Sequence, residues 1–202
     1  MHLLVGLDIH QTEVRLLQLT KIKQQIILKN FTLAALPEGA MVDGIIKQIS
    51  NVQTAVDAVV AKTVTFGSAV AIGLPGNQVT SKQLKFPREW PLAAIATEIA
   101  DNLYQYLPDG DKEVWFDFSL LQNQSSDYQE VVFVAAAKNY VQPFLDIAMK
   151  AGLLPKVIDV AEHIYSRLSL EVFNLLIQGE FALVAPRFRV AYGLACRSHK
   201  TW

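Results

Sequence analysis

The chain has 202 residues, 51% hydrophobic and 18% charged, with 18 basic and 19 acidic side chains and a mean hydropathy of +0.25. Such a composition excludes intrinsic disorder, which requires low hydrophobicity and high net charge. A formal net charge of -1 excludes a broad nucleic-acid footprint, which needs clustered unpaired basic residues.

The single cysteine, Cys196, offers neither an internal disulfide nor a zinc-ligand spacing. A spanning helix needs roughly 18 to 20 consecutive apolar residues, and the best runs are 131–137 and 172–177, the second broken by Asn174. The start of the chain lacks a basic region, and Asp8 interrupts its apolar stretch, so no signal peptide is expected. The reading is a cytoplasmic protein that reaches a membrane only through a partner.

In chain order, 3–9, 14–19 and 25–34 read as three strands of a meander, rich in branched residues and separated by polar turns. Asp43-Gly44 ends a loop. Ile45, Ile49, Val52, Val56 and Val59 then fall at helical spacing, predicting an amphipathic helix of about four to five turns. Residues 68–74 form a strand apolar enough to be central, stopped by Pro75-Gly76-Asn77. A second unit opens with a strand at 78–86 ended by Pro87. Pro91 begins a helix with Leu92, Ile95, Ile99, Leu103 and Tyr106 on its buried face. After a turn at 108–111, segments 113–121 and 129–137 make a hairpin around a polar loop at 122–127. Asn139 is the expected N-cap of a helix carrying Val141, Phe144, Leu145, Ala148 and Met149, with Gly152 at the C′ position. A short strand returns at 157–158. The division expected is 1–77, 78–152 and 153–202.

A last long helix is predicted from about 161 to 177, followed by apolar segments at 181–184 and 190–197 split by Ala185-Pro186-Arg187. On that helix Ile164, Tyr165, Leu168, Val172 and Leu176 form one face, while Leu170, Phe173 and Ile177 lie off it. So wide an apolar surface is covered on more than one side. Burial in a two-layer core is one reading; docking of a second domain or another chain is the other.

No catalytic or metal-binding constellation stands out. His2, His10, His163 and His199 are scattered, and no Gly-x-Ser-x-Gly elbow exists. Asp117 and Asp159 are isolated carboxylates with expected strand-turn and helix-capping roles, and 197–200 reads as a solvated basic end.

Several strings in this order resemble the type IV pilus and competence assembly proteins of the PilM type, relatives of the actin-like division protein FtsA. Leu36-Pro37-Glu38-Gly39-Ala40-Met41-Val42-Asp43-Gly44-Ile45-Ile46 resembles that family's loop between third strand and first helix, and Val5-Gly6-Leu7-Asp8-Ile9 its first phosphate-loop strand. Ala71-Ile72-Gly73-Leu74-Pro75 and Leu84-Lys85-Phe86-Pro87 resemble the edges of its inserted subdomain. Further strings around Phe116-Asp117-Phe118, Val134-Ala135-Ala136-Ala137-Lys138 and Ile158-Asp159-Val160 follow in the family's order.

The resemblance implies an α/β fold: an actin-like (ribonuclease H-like) first domain with an inserted β-α-β-β subdomain, and a second domain largely missing. It also implies a scaffold of pilus assembly, peripheral at the inner membrane, that binds the cytoplasmic N-terminal tail of a PilN-type protein. Gly73, Leu74, Pro75, Phe86 and Pro87 would frame that groove. Asp8, His10, Gln11 and Thr12 occupy the phosphate loop, but His10 stands where the family has glycine and Gln11 where it has a small residue. A side chain there blocks close backbone approach to phosphate, so no cofactor, and ATP or magnesium only as a vestigial ligand, is expected. The expectation is a non-enzyme, with self-association through the 161–177 helix. The alternative is an actin-like ATPase or switch that completes its site by oligomerising.

Overall fold

The computed structural model describes residues 3–23, 25–63, 66–107, 113–121 and 127–197. The predicted 108–111 turn, most of the 122–127 loop and the tail beyond Arg197 lie outside them. The chain divides into two compact units, one built from residues up to Asn77 together with those from Gln142 onward, the other from Gln78–Val141.

The first unit is organised by strands β1 (Val5–His10), β2 (Glu13–Ile22) and β3 (Gln25–Ala35), the expected meander. Two short strands follow, β4 (Met41–Val42) and β5 (Ile45–Ile46), paired antiparallel. Helix α1 spans Ile49–Thr63, and β6 is Ala69–Leu74. Ile45 therefore belongs to a hairpin and not to the helix. Asp43 (φ 49°) and Gly44 (φ 78°) are both left-handed, the backbone that a two-residue Asp-Gly hairpin turn demands.

In the second unit β7 is Val79–Pro87, α2 Leu92–Asp101, α3 Leu103–Tyr106, β8 Val114–Leu120 and β9 Tyr128–Ala137. The three strands form an antiparallel sheet in the order β7-β9-β8. Its core joins Phe86, Val131, Phe133 and Ala135 to Ile95 and Ile99 of α2. The helix expected from Pro91 to Tyr106 is two pieces, divided at Asn102. Buried Gln129 donates its amide to the carbonyls of Pro87 (2.9 Å) and Trp90 (2.6 Å), which satisfies the turn leaving β7.

Helix α4 (Lys138–Lys150) starts directly after β9, so Asn139 lies within its first turn and is not an N-cap. Gly152 ends the helix with φ 79°, and Leu153 N–H reaches back to the Ala148 carbonyl at 3.0 Å, as a Schellman ending requires. Strand β10 (Leu154–Val160) then pairs in parallel with β6.

The predicted long helix is broken. Helix α5 is Ala161–Arg167 and α6 is Leu170–Leu175, with Leu168 and Ser169 extended between them. Ser169 caps α6 by accepting the Val172 N–H at 3.4 Å. The break changes the buried face: Tyr165 is largely exposed and Phe173 is fully buried, the reverse of the continuous-helix expectation. Two 3-10 turns, Gly179–Leu183 and Ala185–Phe188, lead into α7 (Arg189–Ala195).

The main sheet has the order β10-β6-β1-β2-β3, with β6 and β10 parallel to β1 and β2 antiparallel to it. One face carries α1, tied by Asn30, whose amide bonds both Gln18 and the Thr63 carbonyl. The other carries α7, which packs backbone to backbone on β1: a Cβ at Gly6 would overlap the Ala191 carbonyl. On this face Leu17 and Leu19 meet Phe173, Phe181, Phe188 and Tyr192. The rings are mutually tilted or edge-on, at 4.9–6.2 Å, the arrangement aromatic quadrupoles favour.

Candidate functional site

In open sheets with parallel strands, ligands gather outside the strands' carboxyl ends. The parallel strands of the first unit end in one row. Asp8 of β1 and Asp159 of β10 both pair with Gly73 of β6. Each carboxylate is buried, and each is closed by an arginine of this chain.

Arg15 donates Nη1 to Asp8 Oδ2 at 2.7 Å and Nε to Glu13 Oε1 at 2.6 Å. Glu13 is itself buried and takes a second arginine, Arg187, whose Nε reaches Oε1 at 2.8 Å and whose Nη2 pairs with Oε2. Across the row, Arg197 Nε lies 3.2 Å from Asp159 Oδ2, and Asp159 Oδ1 accepts the Val160 N–H at 2.9 Å. Asp159 is thus an ion-pair anchor that also accepts the N–H of Val160, the N-cap residue of α5. Burial pushes the Asp8 carboxyl above its ordinary range, and the Arg15 guanidinium pulls it back part of the way.

The turn from β1 to β2 exposes His10, Gln11 and Thr12, with Thr12 Oγ1 3.5 Å from His10 Nδ1. None of the three has left-handed backbone; among the described non-glycine residues only Lys23 and Asp43 do. Asp8, His10, Gln11, Arg15, Asp43, Glu162, Tyr165 and Arg187 line a cleft of about 430 Å³, within the size of small-molecule pockets. Among the described residues no three acidic, histidine or cysteine side chains converge as metal ligands.

The residues expected to frame a peptide groove fall in both units. In the first, Gly73 and Leu74 are buried at the end of β6 and Pro75 is half-buried. In the second, Phe86 is buried in the core beside Trp90, at 6.0 Å between ring centres, and Pro87 is exposed.

Sequence reasoning found Asp8 but missed Glu13, Arg15, Arg187 and Arg197. A signal for Arg15 existed: a two-residue hairpin centred on Gln11-Thr12 places residue 15 opposite residue 8. Arg187 had none, because it comes from 174 residues beyond Glu13.

A five-stranded sheet with one reversed strand, helices on both faces and an inserted β-α-β-β unit defines an α/β protein with an actin-like first domain. The family model described as "Type IV pilus assembly protein PilM" matches residues 6–191, and the chain belongs to that family. Its structure is similar to a chain of a PilM-PilN type IV pilus biogenesis complex, with a TM-score of 0.69 and 22% identity over 80% of this chain and 48% of that one. It spans about half the length of that solved chain. A second likeness, TM-score 0.49 and 11% identity over 80% of this chain and 58% of the other, is to the cytoplasmic domain of EpsL, an inner membrane component of the type II secretion system of Vibrio cholerae.

Proposed function

We propose that this chain is a scaffold of type IV pilus assembly that docks the cytoplasmic N-terminal tail of a PilN-type inner-membrane protein, and that it does so without nucleotide. The observation that carries the pilus reading is the family match across residues 6–191, which takes in both units. The likeness to a PilM chain solved with PilN supports the choice of partner. An extended tail is held by main-chain hydrogen bonds at a strand edge plus pockets for alternate side chains. Of the residues expected at the groove, Pro75 and Pro87 have surface to offer, while Leu74 and Phe86 are used in their own cores. Recruitment by that partner would hold the chain at the cytoplasmic face of the inner membrane. No helix among the described residues is long and apolar enough to cross it.

The second half of the proposal rests on the charge row. A metal-nucleotide needs a free carboxylate to organise the cation and bare backbone N–H groups for the phosphates. Here Asp8 and Asp159 are each paired with an arginine, a buried glutamate stands at the turn, and the turn carries the side chains of His10 and Gln11 in place of glycine and a small residue. These residues do not fit magnesium-ATP. An ATPase completed by a second copy would first have to break two buried ion pairs.

Titrating a fluorescent peptide of the PilN-type tail should give saturable binding, and a flat titration rejects the scaffold reading. Calorimetry with magnesium-ATP should show no binding heat; micromolar affinity or steady phosphate release would restore the ATPase reading.

A further inference from the structure

We infer that the β2–β3 hairpin is a contact site for an anionic phospholipid surface. The turn presents Lys21, Ile22 and Lys23 in succession, all exposed, with Ile22 56% accessible at the tip. The outgoing strand adds exposed Ile27 and Lys29. Lys29 is the extra residue of a β-bulge, where Gln18 and Leu19 pair with Asn30 and Leu28, so it stands outside the ladder.

Three features make this more than a solvated turn. The charge is of one sign: no aspartate or glutamate occurs between Glu13 and Glu38. Lys23 sits at φ 55°, a left-handed position where hairpins favour asparagine, aspartate or glycine, so here that position at the tip carries a cation. The cations are also joined to apolar surface. Behind the turn a groove of about 700 Å³ runs between β3 and α6, lined by Ile26, Ile27, Leu28 and Leu175 among residues none of which is charged. Leu175 itself is 72% accessible. The one carboxylate of α6, Glu171, does not line the groove.

Lysines beside exposed branched aliphatics suit a headgroup layer, where ammonium groups meet lipid phosphates and the aliphatic side chains enter the acyl boundary. An anionic bilayer offers phosphates to all of the lysines and an acyl boundary to the aliphatic side chains without any matched arrangement of side chains. The tip lies at the far end of β2 from the cleft at Asp8, about 30 Å away for a ten-residue strand, so lipid contact leaves that cleft untouched. The contact acts alongside a PilN-type partner and does not depend on it: failure here leaves the peptide titration unaffected.

Flotation of the full chain with phosphatidylcholine vesicles, with and without 30% phosphatidylglycerol, tests this at roughly the physiological screening length of about 8 Å. The expected result is salt-sensitive binding only to the anionic vesicles. The double substitution Lys21→Glu and Lys23→Glu should weaken it at least about 25-fold, at about fivefold per cation, and Ile22→Ser should weaken it without removing the salt dependence. Unchanged thermal unfolding of these exposed-site variants shows that the fold is kept. Equal binding to neutral and anionic vesicles, an unaltered double variant, or no flotation at all overturns the inference. Lipid-free association of the protein that the Lys21→Glu and Lys23→Glu variant abolishes assigns the patch to a second copy and overturns the inference as well.

Discussion

Glu13 is the residue on which the cleft depends. It holds Arg15 and Arg187 together, with side chains 5%, 12% and 47% accessible respectively. Replacing it with alanine leaves two arginines facing one another and should cost about 3 kcal/mol of unfolding free energy, the scale of a broken buried pair. Arg187→Ala should cost about 1 kcal/mol or less, because half of that side chain is already in water. Urea titrations of both variants check the order; equal effects would mean that Glu13 acts only through Arg187.

Asp8 gives a pH test with a defined sign. Its folded pKa is raised above the unfolded value, burial outweighing the attraction of Arg15. Its titration therefore contributes stability that is fully present below the unfolded pKa and is lost as pH rises through the folded one. The stability of the native chain relative to Asp8→Asn should improve as pH falls from 7 toward 4 in paired thermal melts. A difference that worsens over that range would show the ion pair outweighing burial. Asp8 was legible from its strand and Arg15 from hairpin arithmetic, but Glu13 reads as an ordinary polar turn residue until Arg187 arrives from the far end of the chain.

Among the elements, α7 decides whether the row can form, because it closes over β1 through Gly6 and its flanking residues supply Arg187 and Arg197. Gly6→Ala should destabilise by about 3 kcal/mol or more, since the added methyl meets a carbonyl of a packed helix. Gly179→Ala is the control: its φ of 54° is left-handed but nothing lies within 4 Å, so only about 1 kcal/mol of backbone strain is expected. Circular dichroism melts separate the two; equal shifts would place Gly6 among backbone-strain sites.

The strands were legible because branched residues alternate against two covered faces. The helix break at Ser169 was not, since Ile164, Leu168, Val172 and Leu176 keep helical spacing straight through it. Periodicity registers which residues are apolar. It does not register that Phe173 enters the aromatic cluster with Phe181 and Tyr192 once the helix is interrupted at Leu168 and Ser169. Asp43-Gly44 erred in the opposite direction: the dipeptide is a strong hairpin signal, masked by Ile45 falling in step with α1.

For the whole molecule, the high apolar content has a concrete destination. Helices cover both faces of the main sheet, and rings from Phe31, Phe173, Phe181 and Phe188 fill the α7 side. What stays on the surface is spread over both units, at Phe66, Tyr104 and Trp115 as well as at Tyr165, Leu170, Leu175 and Leu183 of the broken 161–177 segment and its sequel. The family and the actin-like core were legible from ordered strings spread over the chain. The closed state of the charge row was not, because it depends on partners brought together only by folding.

We propose a pilus scaffold that engages its partner without nucleotide. It is tested most directly by titrating the labelled PilN-type tail twice, in the absence and in the presence of millimolar magnesium-ATP. Two superimposable saturable curves are predicted. Binding that appears only with ATP, or no binding in either titration, would contradict the account.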